Sequence, residues 1–139
     1  MVREFHSKFG QPILGKPEIN EDRRDLRLRL IREEYSETFN AMVADDIVEI
    51  ADGIADLIYV LLGTAIEYGI DMEPVFKEVH RSNMEKIPGN FRPDGKILKP
   101  EGWQPPRIGQ LAKGLSEGGS HGLRLEALHG LVDAPQGER

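Results

Sequence analysis

Apolar and charged positions recur with a helical period over most of the chain. Leu28, Ile31, Tyr35, Phe39 and Met42 follow one another at three- and four-residue intervals, and Leu26 and Leu30 begin a second stripe beside them. Residues so spaced share one face of an α-helix. The pattern predicts a first long helix that begins near Glu21 or Asp22, whose acids suit its N-terminal dipole, and runs to about Val43. A second long helix, capped by Asp45 or Asp46, runs to about Tyr68, ends at Gly69 and is apolar all round from Leu57 to Leu62. A helix that is apolar on more than one side is buried on more than one side.

Shorter elements flank this pair. Val2, Phe5, His6 and Phe9 lie at helical spacing before Gly10, and here His6 reads as a packed or capping residue. Residues 11–20, punctuated by Pro12, Gly15 and Pro17, read as an ordered loop able to lie across a pocket mouth. A third long helix is expected from about Glu73 to Lys86, with Val75, Phe76 and Val79 on its apolar side and Pro88-Gly89 as its stop. Asp94-Gly95 marks a tight turn between short extended pieces, and Trp103 and Pro105-Pro106 belong to an extended segment lying back over the helices. From about Ile108 glycines are scattered among few large apolar residues. Residues 1–108 therefore read as one all-α domain, an antiparallel helical bundle, and residues 109–139 as a mobile tail with one short helix around Leu123 to Leu131.

Carboxylates interrupt these stripes. Glu33, Glu34 and Glu37 continue the face of Leu26 and Leu30, while Glu49, Asp52 and Asp56 form a column that Val60 and Gly63 prolong. Acids on a buried face cannot stay charged and unpaired, and a hard cation with oxygen ligands resolves the conflict. Glu34, Glu37, Asp52 and Asp56 are the candidate ligands of Mg2+ or Mn2+, whereas helix capping accounts for Asp45 and Asp46. The chemistry favoured is attack of an activated water on a phosphoanhydride, with Glu33, Glu34 and Glu49 as candidates for taking the proton or positioning the water. Arg81, Asn83, Lys86, Lys96 and Lys99 supply the groups that would meet phosphate, sugar or base.

Composition narrows the alternatives. The chain has no cysteine, which excludes disulfides, zinc–thiolate sites and cysteine nucleophiles. A formal charge of -6 opposes nonspecific nucleic-acid binding, which needs a basic surface. The longest apolar run, Leu57 to Ala65, falls far short of the roughly 20 residues of a membrane span, so a cytoplasmic protein without membrane partners is expected.

Glu33-Glu34-Tyr35-Ser36-Glu37 resembles the EExxE half of the motif of the all-alpha nucleoside triphosphate pyrophosphatase superfamily, which includes MazG, the dimeric dUTPases and phosphoribosyl-ATP pyrophosphatase. Ala55-Asp56-Leu57-Ile58-Tyr59 resembles the other half, and Arg3-Glu4-Phe5-His6, Val79-His80-Arg81-Ser82-Asn83-Met84 and Pro93-Asp94-Gly95-Lys96 point to the MazG-like, phosphoribosyl-ATP pyrophosphohydrolase-like branch. The resemblance covers about residues 1–108. It implies cleavage of a nucleotide between its α and β phosphates with Mg2+ or Mn2+, and a dimer or tetramer in which helices of different protomers complete the bundle. Substrates in view are dUTP or another noncanonical or surplus dNTP, with phosphoribosyl-ATP as the alternative. A non-catalytic helical interaction module is the reading from another class. One departure stands out: with Asp56 as the aspartate of the second motif, ExxD, Gly53 occupies the glutamate position. Asp52, one full turn before Asp56, is the expected replacement. The frame Glu49-Ile50-Ala51-Asp52 fits ExxD literally but lacks the aromatic context.

Overall fold

The computed structural model describes residues 1–111. It is all-α: α1 (Val2–Lys8), α2 (Glu21–Val43), α3 (Ile47–Glu67), α4 (Met72–Met84) and a single turn, α5 (Ile108–Leu111). The expected helices over residues 2–9 and from Glu21 to Tyr68 match these bounds to within a residue or two, and α4 stops two residues short of Lys86. The short helix expected at Leu123 to Leu131, and nearly all of the tail, lie outside the described residues.

The α2–α3 hairpin is the centre of the fold, with α1 packed on α3 and α4 packed on α5. Its turn is made by Asp45, whose φ of 55° is the one positive value among described non-glycine residues, and by Asp46. Asp46 caps α3 by accepting from the backbone N–H groups of Val48 at 3.0 Å and Glu49 at 3.2 Å. The other end of α3 closes on Gly69, at φ 63°, with Ile70 N–H donating to Ala65 O at 2.8 Å and Gly69 N–H to Ile66 O at 3.2 Å. This paired closure of the last turn requires a left-handed residue, which glycine adopts without strain. Residues 11–20 run along that same end, where Leu14 N–H donates to Ile66 O and Glu18 N–H to Tyr68 O, both at 3.1 Å. The loop thus seals the α3 terminus. It does not cross the acids, which lie 11 or more positions earlier on α3, about 16 Å at the usual helical rise.

A buried ion cluster ties the open end of the hairpin together. Glu67, fully buried, accepts from Arg23 Nε at 3.0 Å on one oxygen and from Arg23 Nη2 at 3.0 Å and Arg27 Nη1 at 3.5 Å on the other. Arg27 also donates to Thr64 Oγ1 at 3.0 Å and to Val60 O at 2.5 Å. The hydrogen bond to Glu67 raises the Arg23 pKa, while burial lowers that of Arg27 and Glu67 offsets part of the effect. Nearby, His6 is buried and donates from Nδ1 to Pro12 O at 3.1 Å, so it is the packed residue the sequence suggests. None of Arg23, Arg27 and Glu67 belongs to a sequence motif noted above.

The single chain leaves the apolar stripes largely open. Ala41 and Ala65 are the fully buried hydrophobic residues among those described, whereas Leu28, Tyr35, Phe39 and Met42 on α2 and Ile54, Ile58 and Leu61 on α3 are exposed. Phe76 on α4 is 70% exposed. Burial on several sides, expected from the sequence, is therefore not achieved within one chain: two helices crossing along one line cover one face of each. Among the described residues no helix is long and apolar enough to cross a membrane.

Candidate active site

The acids bracket the point where α2 and α3 come closest. Thr38 follows Glu37 and lies one turn after Glu34; opposite it, Gly53 follows Asp52 and precedes Asp56 by three residues. Both Thr38 and Gly53 are buried. A Cβ placed on Gly53 would sit 2.7 Å from Thr38 Oγ1 and 3.0 Å from Thr38 Cα, so no side chain fits there without a shift. The glutamate that the motif would put at this position is incompatible with the helix crossing.

Glu34 is half-buried, while Glu33, Glu37, Glu49, Asp52 and Asp56 are exposed. The expectation of buried, stripe-interrupting acids is therefore corrected for the single chain, since the apolar faces around them have no cover. Glu34 still registers the cluster. Burial first, then the charges of Asp56, Glu37, Glu33 and Asp52, hold its carboxyl above the usual range. Asp52 and Asp56 thus both act on Glu34 across the hairpin. Glu49 sits in the first turn of α3, two turns before Asp56, and is not among the groups that act on it.

Oxygen donors of this kind suit a hard divalent cation, and the groups acting on Glu34 include no basic residue to neutralise them. Among the described residues, however, no three Asp, Glu or His side chains converge on a common point. The residues fit a cation in chemistry and placement, with the ligating arrangement left to rotation of exposed side chains.

The basic candidates lie on a separate unit. After α4 the chain forms a small hairpin, bridged between Phe91 and Ile97 and turning at Asp94-Gly95 as the sequence indicates. It then returns along α4. Trp103 Nε1 donates to Ser82 O at 2.9 Å, the buried Ser82 hydroxyl donates to Gln104 O at 3.2 Å, and Arg107 N–H donates to Glu78 Oε1 at 2.9 Å. Arg81 pairs with Glu78 and Glu85. Those contacts, Arg81 above all, hold the Glu78 carboxyl down at about 2. Arg81 is thus already engaged. Asn83, Lys96 and Lys99 are exposed and Lys86 half-buried, and Lys99 Nζ stands 3.9 Å from the Trp103 ring centroid. Since α4 packs chiefly on α5, these groups are not brought onto the acids of their own chain. The Ser82–Trp103 strap went unread in the sequence because its hydrogen bonds join positions about 20 apart through backbone groups.

An all-α hairpin with facing acid rows defines the architecture of an all-alpha nucleotide pyrophosphohydrolase. The sequence pattern of the family described as phosphoribosyl-ATP pyrophosphohydrolase matches residues 2–83, and the chain belongs to that family, within the all-alpha NTP pyrophosphatase superfamily. It is accordingly a hydrolase of phosphoanhydride bonds acting on a nucleotide-like substrate. No curated protein matches the chain. The family match contains all six acids, Arg81 and Asn83, and ends before Lys86, Lys96 and Lys99.

Proposed function

We propose that the protein hydrolyses a nucleoside triphosphate between its α and β phosphates, releasing a monophosphate and pyrophosphate. The observation that carries this reading is the pair of acid rows facing each other across the α2–α3 crossing, with Glu34 under the influence of four other carboxylates. Glu34, Glu37, Asp52 and Asp56 would hold Mg2+ or Mn2+, which when bound polarises the phosphoryl group and acidifies a bound water. Glu33, Glu34 or Glu49 accepts the proton of the attacking water at a carboxylate oxygen. Asp52 rather than Glu49 partners Asp56, since Asp52 and Asp56 act together on Glu34 while Glu49 does not.

Arg81, Asn83, Lys86, Lys96 and Lys99 then hold the phosphates and the nucleoside, Arg81 by exchanging its glutamate partners for substrate. Because α4 stands apart from the acids of its own chain, we assign these groups to the acids of a second protomer in a homodimer or tetramer. The exposed apolar residues of α2 and α3 support such an assembly, each large side chain contributing about 1.5–3 kcal/mol when covered. A cytoplasmic location, among nucleotide pools, belongs to the same proposal.

For the substrate itself, dUTP or another noncanonical or surplus dNTP is the first reading, supported by the segment after Lys86 that packs back along α4. Phosphoribosyl-ATP is the second, favoured by the family match. A pyrophosphate-release assay over canonical and modified nucleoside triphosphates and phosphoribosyl-ATP, with Mg2+ or Mn2+ and with chelator, separates them. Metal-dependent release from one class is expected. Absence of release from every compound would overturn the proposal in favour of a binding module.

A further inference from the structure

The contact between Thr38 and Gly53 has more consequence than close packing. Interhelical distances run from about 8 to 10 Å according to the side chains at the contact. At this crossing one helix contributes no side chain at all. The other contributes a small residue that is itself pinned: Thr38 Oγ1 donates to Glu34 O at 2.7 Å, which fixes its rotamer against α2. A Cβ on Gly53 would meet not just this hydroxyl at 2.7 Å but the Thr38 backbone, Cα at 3.0 Å, so a larger residue must push the helices apart. Glu37 and Asp52 are the immediate chain neighbours of the two contacting residues, and Glu34 and Asp56 lie one turn away. Any separation at the contact therefore passes directly into the gap between the acid rows.

We propose that Thr38 and Gly53 are positioning residues, a spacer that sets the distance between the α2 and α3 carboxylates and with it their capacity to share one cation. This rests on the acids being the cation site. The occupant of position 53 thus matters for the site through the space it leaves free. Displacements on the ångström scale suffice to lower the performance of a site about a hundredfold.

The test is Mn2+ binding to the full chain by isothermal titration calorimetry, together with the rise in melting temperature that Mn2+ produces. Gly53→Ala is expected to weaken Mn2+ binding at least about tenfold, beyond any fall in the metal-free melting temperature. Thr38→Val keeps a branched side chain of similar volume and is expected to bind within about threefold of wild type, because spacing rather than the hydroxyl is at issue. Thr38→Ala combined with Gly53→Ala removes the nearest clash and is expected to recover most of the lost affinity. That double variant also decides the matter should Gly53→Ala alone fail to fold. Equal Mn2+ affinity in wild type and Gly53→Ala, or a folded double variant bound no better than Gly53→Ala, would overturn the spacer alone. No Mn2+ binding by wild type would overturn both the spacer and the cation site on which it rests.

Discussion

Glu34→Gln is expected to lower pyrophosphate release about a thousandfold while raising the melting temperature of the metal-free protein by a few degrees. The loss follows from Glu34's place at the centre of the acid rows: removing it takes away both a ligand oxygen and a proton acceptor, roles each worth several powers of ten. The gain in stability follows from the raised pKa of Glu34, caused by burial and by the charges of Asp56, Glu37, Glu33 and Asp52. A carboxyl whose folded pKa lies above its unfolded value binds its proton more tightly in the fold. Its favourable contribution is present at low pH and disappears as pH rises through the folded value, so at neutral pH the charge opposes folding. Glutamine removes that opposition. Thermal denaturation of both proteins in chelator, at pH 7 and near pH 4, is the measurement, and the difference between them should shrink at the lower pH. If Glu34→Gln turned over like wild type, Glu34 would have no part in the chemistry.

Glu67→Gln is expected to have the opposite signature, a large loss of stability without a direct effect on the acids. Both carboxylate oxygens of Glu67 are engaged by Arg23 and Arg27 in a fully buried position, and neutralising one partner leaves guanidinium charge underneath the loop of residues 11–20 without compensation. Breaking a buried pair from one side costs about 3–5 kcal/mol, a large part of the 5–15 kcal/mol by which domains are stable. A fall in melting temperature of about 10 °C or more is the expected result by calorimetry or circular dichroism. A change of a degree or two would mean that the arginines find other partners. Glu67 is about 16 Å along α3 from Asp56, so the melting shift produced by Mn2+ should survive in any fraction that folds.

The contrast between these two glutamates shows what the sequence could and could not reveal. Glu34 was legible because its neighbours are local: Glu33 and Glu37 lie on its own helix, and Asp52 and Asp56 declare themselves by a period of four on the next. The hairpin itself was legible for a similar reason, with periodic stripes on both sides of a short acidic turn. Glu67 gave no such signal. Its partners are 40 and 44 positions away, and an acid in the last turn of α3, where the dipole disfavours negative charge, reads as an ordinary surface residue until Arg23 and Arg27 are seen beside it. The exposure of the acids was misjudged because periodicity tells which faces are apolar but not how many of them one chain can cover. Gly53 was visible as a departure from the ExxD pattern, yet its cause lies in Thr38, on the other helix, and became apparent with the crossing.

Trp103 is the single tryptophan of the chain, and it is held against Ser82 on α4 with Lys99 over its ring. Its emission therefore reports on α4 and the returning segment alone, whereas far-ultraviolet circular dichroism is dominated by the longer α2 and α3. With so little packing between the two units, the optical signals need not melt together. A denaturation curve followed by fluorescence describes the region carrying the basic residues, and one followed by ellipticity describes the region carrying the acids.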